Sequence, residues 1–160
     1  MTRSYRLAYT DSLLAAFRPR GAQARWNSEG TVIVYTSEHP ALAALEILNG
    51  WEVYANLRGY HLYRCTFETA LVCETATSLD IHDRAATRTY GDAWVRKRES
   101  VALKVPSVAV AESSNYLFNP NHPDFLAKVK LEHLGPFSFD ERVERLVQKS
   151  SNADGGDVPR

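Results

Sequence analysis

Cysteine, charge of one sign and long apolar runs are all scarce in this 160-residue sequence, and each scarcity excludes a class of protein. Two cysteines are too few for the disulfide framework of a small secreted domain. Nineteen basic side chains are balanced by nineteen acidic ones, so the chain lacks the positive excess that direct nucleic-acid binding requires. No segment approaches the roughly 18 consecutive apolar residues of a membrane span. We therefore expect a cytoplasmic protein that does not enter a membrane.

Motifs for metals and nucleotide cofactors are missing as well. His61, Cys65 and Cys73 have an H-x3-C-x7-C spacing, which is not a zinc pattern, and a structural zinc site usually needs four ligands. We expect no metal site, and we expect both cysteines to be small apolar residues of the core. The sequence contains no G-x-G-x-x-G, no P-loop and no G-x-S-x-G motif. These absences exclude a Rossmann-type fold that binds a nicotinamide cofactor as a hydride carrier, a P-loop nucleotidase and a common type of serine hydrolase.

The sequence does contain enough apolar residues for one globular domain. Hydrophobic residues make up 44% of the chain and charged residues 24%, which is typical of a packed core with a solvated surface. No internal repeat or linker divides the chain, and its length is usual for a single domain. We place that domain at residues 1–147 and predict that the polar residues 148–160 form a disordered tail.

Strand and helix patterns alternate along this domain. Tyr5, Leu7 and Tyr9 alternate with Arg6, which predicts a strand with Arg6 on the face opposite the tyrosines. The β-branched run Thr31–Thr36 predicts a buried strand. With the elements that follow, these patterns predict a single α+β domain with a largely antiparallel, split β-sheet and flanking helices. The other predicted elements are a loop at Arg18–Gly30, a helix from Pro40 ended by Gly50, one or two strands in Tyr60–Val72, a short helix at Asp92–Glu99, a strand at Val101–Val110 interrupted at Pro106, a strand at Tyr116–Phe118 and a turn at Asn119–Pro123.

One charged residue does not fit its surroundings in the predicted helix. Seven of the eight residues from Ala41 to Leu48 are apolar, and they cover the whole helix circumference, so we expect a helix buried on nearly all sides. Glu46 is the exception. A buried lone carboxylate is costly unless a partner compensates it. Glu46 therefore lies on a narrow wet stripe or in a structural ion pair, or it forms the floor of a cleft that binds a cation.

Arg25, Trp26 and Tyr35 are the other residues that indicate a binding site. Arg25 and Trp26 lie side by side in a glycine-flanked loop directly before the predicted buried strand. An arginine beside an aromatic residue can bind phosphate through its planar fork while the ring covers a base or a ribose. The alternative is a solvated arginine with a tryptophan that anchors the loop. Tyr35 lies near the end of the strand, and on its own it is most typical of core or rim packing.

The ordered set of motifs resembles a known family. The motifs of this set are, in chain order, Arg6 in the first strand, Arg25-Trp26-Asn27, Tyr35 at the end of the next strand, Ala41 to Glu46 in the helix, Val105-Pro106-Ser107, and Asn119 to Phe125 with the sequence NPNHPDF. This order is similar to the RES domain, which is named for Arg, Glu and Ser. The resemblance spans Tyr5 to Arg142 and assigns the three letters to Arg25, Glu46 and Ser107.

The resemblance implies an ADP-ribosyltransferase-like fold, with a split antiparallel sheet around a cleft for NAD. It implies a toxin of a bacterial toxin–antitoxin pair, whose partner is an antitoxin with an Xre-like helix-turn-helix. DNA would be contacted only through that antitoxin. NAD would be a substrate, cleaved at its nicotinamide–ribose bond, with ADP-ribose passing to water or phosphate. Two alternatives stay open: mono-ADP-ribosylation of a host protein, and a non-enzymatic module that binds the antitoxin.

Each proposed site residue has an expected role in that chemistry. Glu46 would stabilise the oxocarbenium-like ribose that forms when nicotinamide leaves. Arg6 and Arg25 would clamp the pyrophosphate of NAD. Tyr35 would stack on the cationic nicotinamide ring. The Ser107 hydroxyl would hold either Glu46 or a ribose hydroxyl.

Overall fold

The computed structural model describes residues 1–49 and 57–153 of the chain. The strands in these ranges are β1 (Thr2–Ala8), β2 (Val34–Ser37), β3 (Tyr60–Phe67), β4 (Val72–Glu74), β5 (Ala102–Pro106), β6 (Ser114–Phe118) and β7 (Lys130–Phe137). The helices are α1 (Leu13–Ala16), α2 (Pro40–Asn49), α3 (Arg84–Lys97), α4 (Phe125–Lys128) and α5 (Glu141–Ala153), and a 3-10 turn at Thr69–Leu71 precedes β4.

All of these strands belong to one sheet, in the order β4-β5-β6-β2-β1-β3-β7. Every neighbouring pair is antiparallel except β4 and β5, which run parallel. The prediction of an α+β domain with a largely antiparallel sheet is therefore confirmed.

The sheet is nearly divided between β1 and β2. The two strands are paired only at Tyr5 and Ser37, whereas β1 pairs with β3 along its whole length, from Thr2 to Ala8. Side chains bridge the gap where backbone pairing stops. The hydroxyls of Ser4 and Thr36 are 2.8 Å apart, and an N–H of Arg6 donates to the carbonyl of Tyr35 at 2.8 Å. This junction is the split of the sheet.

Three apolar clusters pack against the two faces of the sheet. Residues that alternate along a strand point to opposite faces, so neighbours such as Val34 and Tyr35 belong to different clusters. One cluster lies on the face that carries α1 and α4, and it contains Ala16, Phe17, Val34, Tyr63, Cys65, Phe67, Phe118 and Phe125. The second contains Trp26, Ile33, Trp94, Leu103, Val105 and Leu117 around α3. The third contains Leu7, Ala43, Leu57, Tyr60 and Phe139 around α2.

The helix that carries Glu46 has the predicted bounds, but it is not buried on nearly all sides. Leu42 and Ala43 are buried, whereas Ala41 is exposed and Leu45 keeps 45% of its surface accessible. The helix therefore has an inner and an outer face, and the expectation of burial all round was wrong. Helices show this when they cover one side of a sheet. Gly50, which we predicted to end the helix, lies outside the described residues.

The helix around Trp94 begins earlier than the sequence indicated. We predicted Asp92–Glu99, and α3 instead runs from Arg84 to Lys97. Asp83 caps its first turn by accepting hydrogen bonds from the backbone N–H groups of Ala85 and Ala86, at 2.8 and 3.1 Å. Gly91 lies inside the helix, where a glycine normally lowers helix stability.

Other boundaries also differ from their predictions. β2 (Val34–Ser37) covers only the second half of the predicted strand Thr31–Thr36 and extends one residue beyond it. β5 ends at Pro106, the residue at which we predicted an interruption, but the predicted continuation to Val110 is not a strand. Cys65 is buried in β3 as predicted, but Cys73 is exposed on the short β4, so the prediction that it belongs to the core was wrong. The patterns did not predict α1, α4, α5 or β7.

Two further predictions concern membranes and the end of the chain. Among the described residues, no helix has the length and apolar character needed to cross a bilayer. Helix α5 continues to Ala153 and so includes residues 148–153, which we assigned to the tail. Residues 154–160 lie outside the described ranges, and the division of the chain at 147 stays a prediction.

Candidate active site

A cavity of about 190 Å³ lies at the split of the sheet, beneath α2. Its walls are formed by β1 and β2, by the inner face of α2, and by β5 and β6. Its lining residues include all but one of the predicted site residues, namely Arg6, Arg25, Trp26, Tyr35 and Glu46; the exception is Ser107. The fold therefore brings together predicted site residues from four separate segments of the sequence.

The helical repeat places Glu46 on the cavity side of α2. Ala43, Glu46 and Ile47 are spaced i, i+3 and i+4, so they share one face of the helix, and all three line the cavity. Their opposite neighbours Ala41 and Leu45 form the exposed face. Glu46 is partly buried, and it is the only carboxylate among the residues that line this cavity.

Two side chains hold one oxygen of the Glu46 carboxylate. The Ser107 hydroxyl donates to Oε1 at 3.0 Å, and the Asn115 amide donates to the same atom at 2.7 Å. Among the described residues, none donates a hydrogen bond to the second oxygen, Oε2. The carboxylate is thus anchored through one of its two oxygens.

The two donors come from opposite ends of the connection between β5 and β6. The backbone N–H of Ser107 donates to the carbonyl of Ser113 at 2.8 Å, which closes the connection as a hairpin. The Ser107 oxygen also accepts from the backbone N–H groups of Ala109 and Val110, at 3.0 and 3.3 Å. These bonds fix the hydroxyl rotor toward Glu46. Of the two options that we gave for Ser107, the contact present is the one with Glu46.

Arg25, in the loop before β2, lines the cavity and contacts residues at and before the start of α3. One guanidinium N–H donates to the carbonyl of Ile81 at 3.0 Å, and the backbone carbonyl of Arg25 accepts from the Thr87 hydroxyl at 2.8 Å. Burial, and then the nearby charge of Arg84, lower the pKa of Arg25, while the charge of Glu46 acts in the opposite direction. No salt bridge joins Arg25 to a carboxylate in the described part of the chain.

Arg6 is tied to the split of the sheet. Its Nε donates to the carbonyl of Ala16 and its Nη1 to the carbonyl of Tyr35, both at 2.8 Å. Burial lowers the pKa of Arg6. These two bonds use two of the five guanidinium N–H groups, so Arg6 joins α1 and β2 to β1 while it also lines the cavity.

Tyr35 and Asn27 organise the loop that carries Arg25. The Tyr35 hydroxyl donates to Asn27 Oδ1 at 2.7 Å and accepts from the backbone N–H of Trp26 at 3.1 Å. Burial raises the pKa of Tyr35, so the phenol stays protonated as this donor. The amide of Asn27, which is buried, donates to three backbone carbonyls, those of Ala22, Ser28 and Thr31. The loop is therefore folded around the Tyr35–Asn27 pair.

Trp26 is a core residue that also forms part of the cavity wall. Only 3% of its surface is exposed, and its ring meets that of Tyr90 edge to face. This packing corresponds to the loop-anchoring alternative. Helix α3 docks on the same loop through Asp92, whose carboxylate accepts from the backbone N–H of Ser28 at 3.0 Å, and through Gly91, which lies against the carbonyl of Trp26. Sequence reasoning missed both of these contacts.

Asn115 is the site residue that sequence reasoning missed. Asparagine is uncommon in strands, and its presence in β6 was the available signal. By contrast, the predicted turn at Asn119–Pro123 contains the expected turn-building residues. Asn119 Oδ1 accepts from the backbone N–H of Asn121 at 3.0 Å, and His122 Nδ1 accepts from that of Asp124 at 3.1 Å.

A second, larger groove lies elsewhere on the surface, and it lacks the chemistry of the cavity. Its volume is about 630 Å³. Its described lining is largely apolar and includes no carboxylate, and Arg18 is its one charged residue. Within the described residues, no cluster of three or more His, Cys, Asp or Glu side chains is arranged to bind a metal ion; the prediction that the protein uses no metal stays a prediction.

Comparison with known proteins agrees with the motif order. The family model described as the RES domain matches residues 3–140. A protein of Sphingobium sp. named "Prs ADP-ribosylating toxin" is 30% identical over 134 residues, which cover 76% of this chain and 80% of that protein. "Toxin Res" of Pseudomonas putida is 30% identical over 120 residues, which cover 71% of this chain and 83% of that protein.

Proposed function

The chain belongs to the RES domain family, and on that premise we propose that it cleaves the nicotinamide–ribose bond of NAD and transfers ADP-ribose to water or phosphate. The observation that supports this most directly is the state of Glu46. Its Oε1 is held by two donors, and no described residue binds its Oε2. This carboxylate shares a cavity with Arg25, and no salt bridge joins the two in the described residues. Glu46 can therefore stabilise a cation while Arg25 binds an anion.

The chemistry needs a carboxylate near the ribose carbon. When the C1–N bond of the nicotinamide riboside breaks, both electrons leave with the nitrogen, and nicotinamide departs as a neutral molecule without needing a proton. The sugar becomes oxocarbenium-like, with positive charge shared by C1 and the ring oxygen. Glu46 Oε2 would stabilise that charge as it develops. Fixed groups that are aimed at developing charge are among the strongest contributors to catalysis.

The second half of the reaction adds the acceptor to the same carbon. An oxygen of water or phosphate forms the new bond to C1, and a water acceptor gives up one proton in doing so. Glu46 can orient the attacking hydroxyl and receive that proton before releasing it to solvent. A phosphate dianion can attack without losing a proton first. The residues of the cavity are therefore compatible with either acceptor, and an assay with and without phosphate distinguishes the two.

Binding of NAD would use the arginines and the aromatic wall. We assign the pyrophosphate to Arg25 and to the N–H groups of Arg6 that are not engaged with backbone carbonyls. Tyr35 would contact the nicotinamide ring, with Trp26 behind it as part of the wall. A cavity of about 190 Å³ is below the roughly 300–1,000 Å³ of sites that enclose a drug-sized ligand. It would take the nicotinamide riboside, and the adenosine would extend along the surface.

A second candidate function is mono-ADP-ribosylation of a host protein. The description of the Sphingobium relative as an ADP-ribosylating toxin favours it. Loss of nicotinamide is common to both functions, and a side chain of the target protein would take the place of water or phosphate. The two are separated by the fate of ADP-ribose, which would be found free in one case and covalently attached to a protein in the other.

We also propose that the protein is a toxin held inactive by an Xre-like helix-turn-helix antitoxin in the cytoplasm. Both relatives are named as toxins. DNA would then be bound by the antitoxin, since the charges of this chain balance. A non-enzymatic antitoxin-binding module is the remaining alternative, and it requires that toxicity survive the loss of the Glu46 carboxylate.

The test is nicotinamide release from NAD by the purified full chain, with and without phosphate. Glu46→Gln keeps the size of the side chain and removes its charge, and we expect it to lower kcat by at least about 100-fold. Glu99→Gln is the matched control, because Glu99 is exposed and lies outside the cavity. Dependence on phosphate identifies the acceptor. A folded wild type that neither releases nicotinamide nor labels a protein with ADP-ribose rules out both enzymatic proposals.

A further inference from the structure

Asn115 makes the shortest hydrogen bond to the proposed catalytic carboxylate. Its amide Nδ2 donates to Glu46 Oε1 at 2.7 Å, compared with 3.0 Å for the Ser107 hydroxyl. The two residues are 69 positions apart, and Asn115 is held in the interior of the sheet because it pairs with Ser37 of β2 and Val105 of β5. The donor therefore stands on a rigid strand at the wall of the cavity.

The orientation of the Asn115 amide is dictated by Glu46. Turning the amide over would place its oxygen against Oε1, with two acceptors facing each other and no proton between them. In the orientation present, Oδ1 is buried and accepts no hydrogen bond from any described residue. An unpaired buried acceptor lowers stability. The strand thus carries a polar side chain whose one described hydrogen-bond partner is the carboxylate.

The burial of Oδ1 distinguishes two possible roles of Asn115, namely direct binding of the substrate and support of Glu46. Because this oxygen is covered by protein, it cannot bind a substrate directly. The described contact between the amide and the site is the hydrogen bond to Glu46. Ser107, which directly follows β5, and Asn115 of β6 both donate to Oε1, and among the described residues Oε2 has no donor.

We propose that Asn115 is a positioning residue, which holds Glu46 so that Oε2 faces the reacting ribose carbon. The inference rests on the proposed function. A carboxylate held by Ser107 alone could rotate about its terminal torsion, which is soft in glutamate, and would present neither oxygen reliably. A second fixed donor on the same oxygen removes that freedom. Asn115 therefore affects the chemical step and leaves the binding of NAD nearly unchanged.

Two substitutions test this role in different ways. Asn115→Ala removes the donor, and we expect kcat to fall by about 10- to 100-fold, the range for one hydrogen bond to a charged group, while KM for NAD changes by less than about threefold. Asn115→Asp keeps the shape but places a second carboxylate beside Glu46. Two adjacent carboxylates share a proton at low pH, so the acid limb of kcat against pH should move to higher pH by about one unit or more.

The experiment measures nicotinamide release by the full chain across pH 4–9 for wild type and both variants. Asn121→Asp is the matched control, since Asn121 is exposed and lines the second groove instead of the cavity, and its pH profile should coincide with that of wild type. Thermal unfolding of each variant separates loss of fold from loss of rate; if Asn115→Ala does not fold, the isosteric Asn115→Asp decides.

The outcomes distinguish this inference from the function on which it rests. A wild type that releases no nicotinamide overturns the proposed function, and the role of Asn115 with it. An active wild type with an Asn115→Ala variant of unchanged kcat overturns only the positioning role. So does an Asn115→Asp variant whose pH profile coincides with that of wild type. A lower kcat at nearly constant KM, together with the displaced acid limb, supports both.

Discussion

Gly91 of α3 lies so close to the carbonyl of Trp26 that a β-carbon at position 91 would be 1.8 Å from that oxygen. No other helical residue type leaves room for this approach. The contact packs α3 against the loop that carries Arg25. Gly91 lowers the stability of α3 locally, but it is required because α3 contacts the backbone carbonyl of Trp26 at this position.

Replacing Gly91 by alanine gives a prediction with an unambiguous sign. Helix propensity alone would stabilise the variant by about 1 kcal/mol. The clash with a backbone atom should outweigh this and lower the free energy of unfolding by about 1–3 kcal/mol, with a loss of nicotinamide release. Chemical denaturation measures the difference. Thr89→Ala, on the exposed face of α3, serves as the control. A stabilised Gly91→Ala protein would show that α3 does not rest on Trp26.

Removal of the Tyr35 hydroxyl should damage the loop and the site together. Tyr35→Phe leaves the Trp26 N–H and Asn27 Oδ1 without the partner that they share, and each unpaired buried group costs about 1–3 kcal/mol. We expect lower thermal stability and a raised KM for NAD, because Arg25 is displaced. Tyr9→Phe is the matched control, since Tyr9 is 64% exposed. Equal melting temperatures for the two variants would contradict the bridging role of Tyr35.

The sequence predicts Glu46 better than it predicts the residues that hold it. Glu46 stands out locally, because one charge interrupts an apolar helix. Asn115 contacts it from 69 positions away, and no local pattern reports a pairing over that distance. Similarly, Gly91 and the polar residues next to it are not typical of a helix, so the first part of α3 was not predicted. The reason for that glycine is its contact with Trp26, which exists only in the folded chain.

Arg25 should be sensitive even to a substitution that keeps its charge. A lysine is a point charge, whereas the guanidinium fork can bind a phosphate oxygen pair while another N–H donates to the carbonyl of Ile81. We expect Arg25→Lys to lower kcat/KM by about tenfold and Arg25→Ala by about 100-fold, mainly through KM. Steady-state kinetics with NAD measures both. Arg20→Ala, at an exposed position of the same loop, should behave as wild type. If Arg25→Lys does the same, phosphate binding by the fork is excluded.

Asp92 should make the docking of α3 on the Arg25 loop sensitive to acid. Burial acts to raise the pKa of Asp92, but hydrogen bonds from Ser28 outweigh it, and the pKa lies below its ordinary value of 3.8. A carboxylate with a lowered pKa contributes stability that is fully present above pH 3.8 and is lost as the pH falls through the folded-state pKa. Asp92→Asn should therefore be less stable than wild type at pH 5–7, by about 1 kcal/mol, and the difference should shrink below about pH 4. Thermal melts from pH 7 to pH 3 test this, with Asp11→Asn, an exposed position, as the control. A difference between wild type and Asp92→Asn that stays constant down to pH 3 would show that the charge of Asp92 does not stabilise the contact with Ser28.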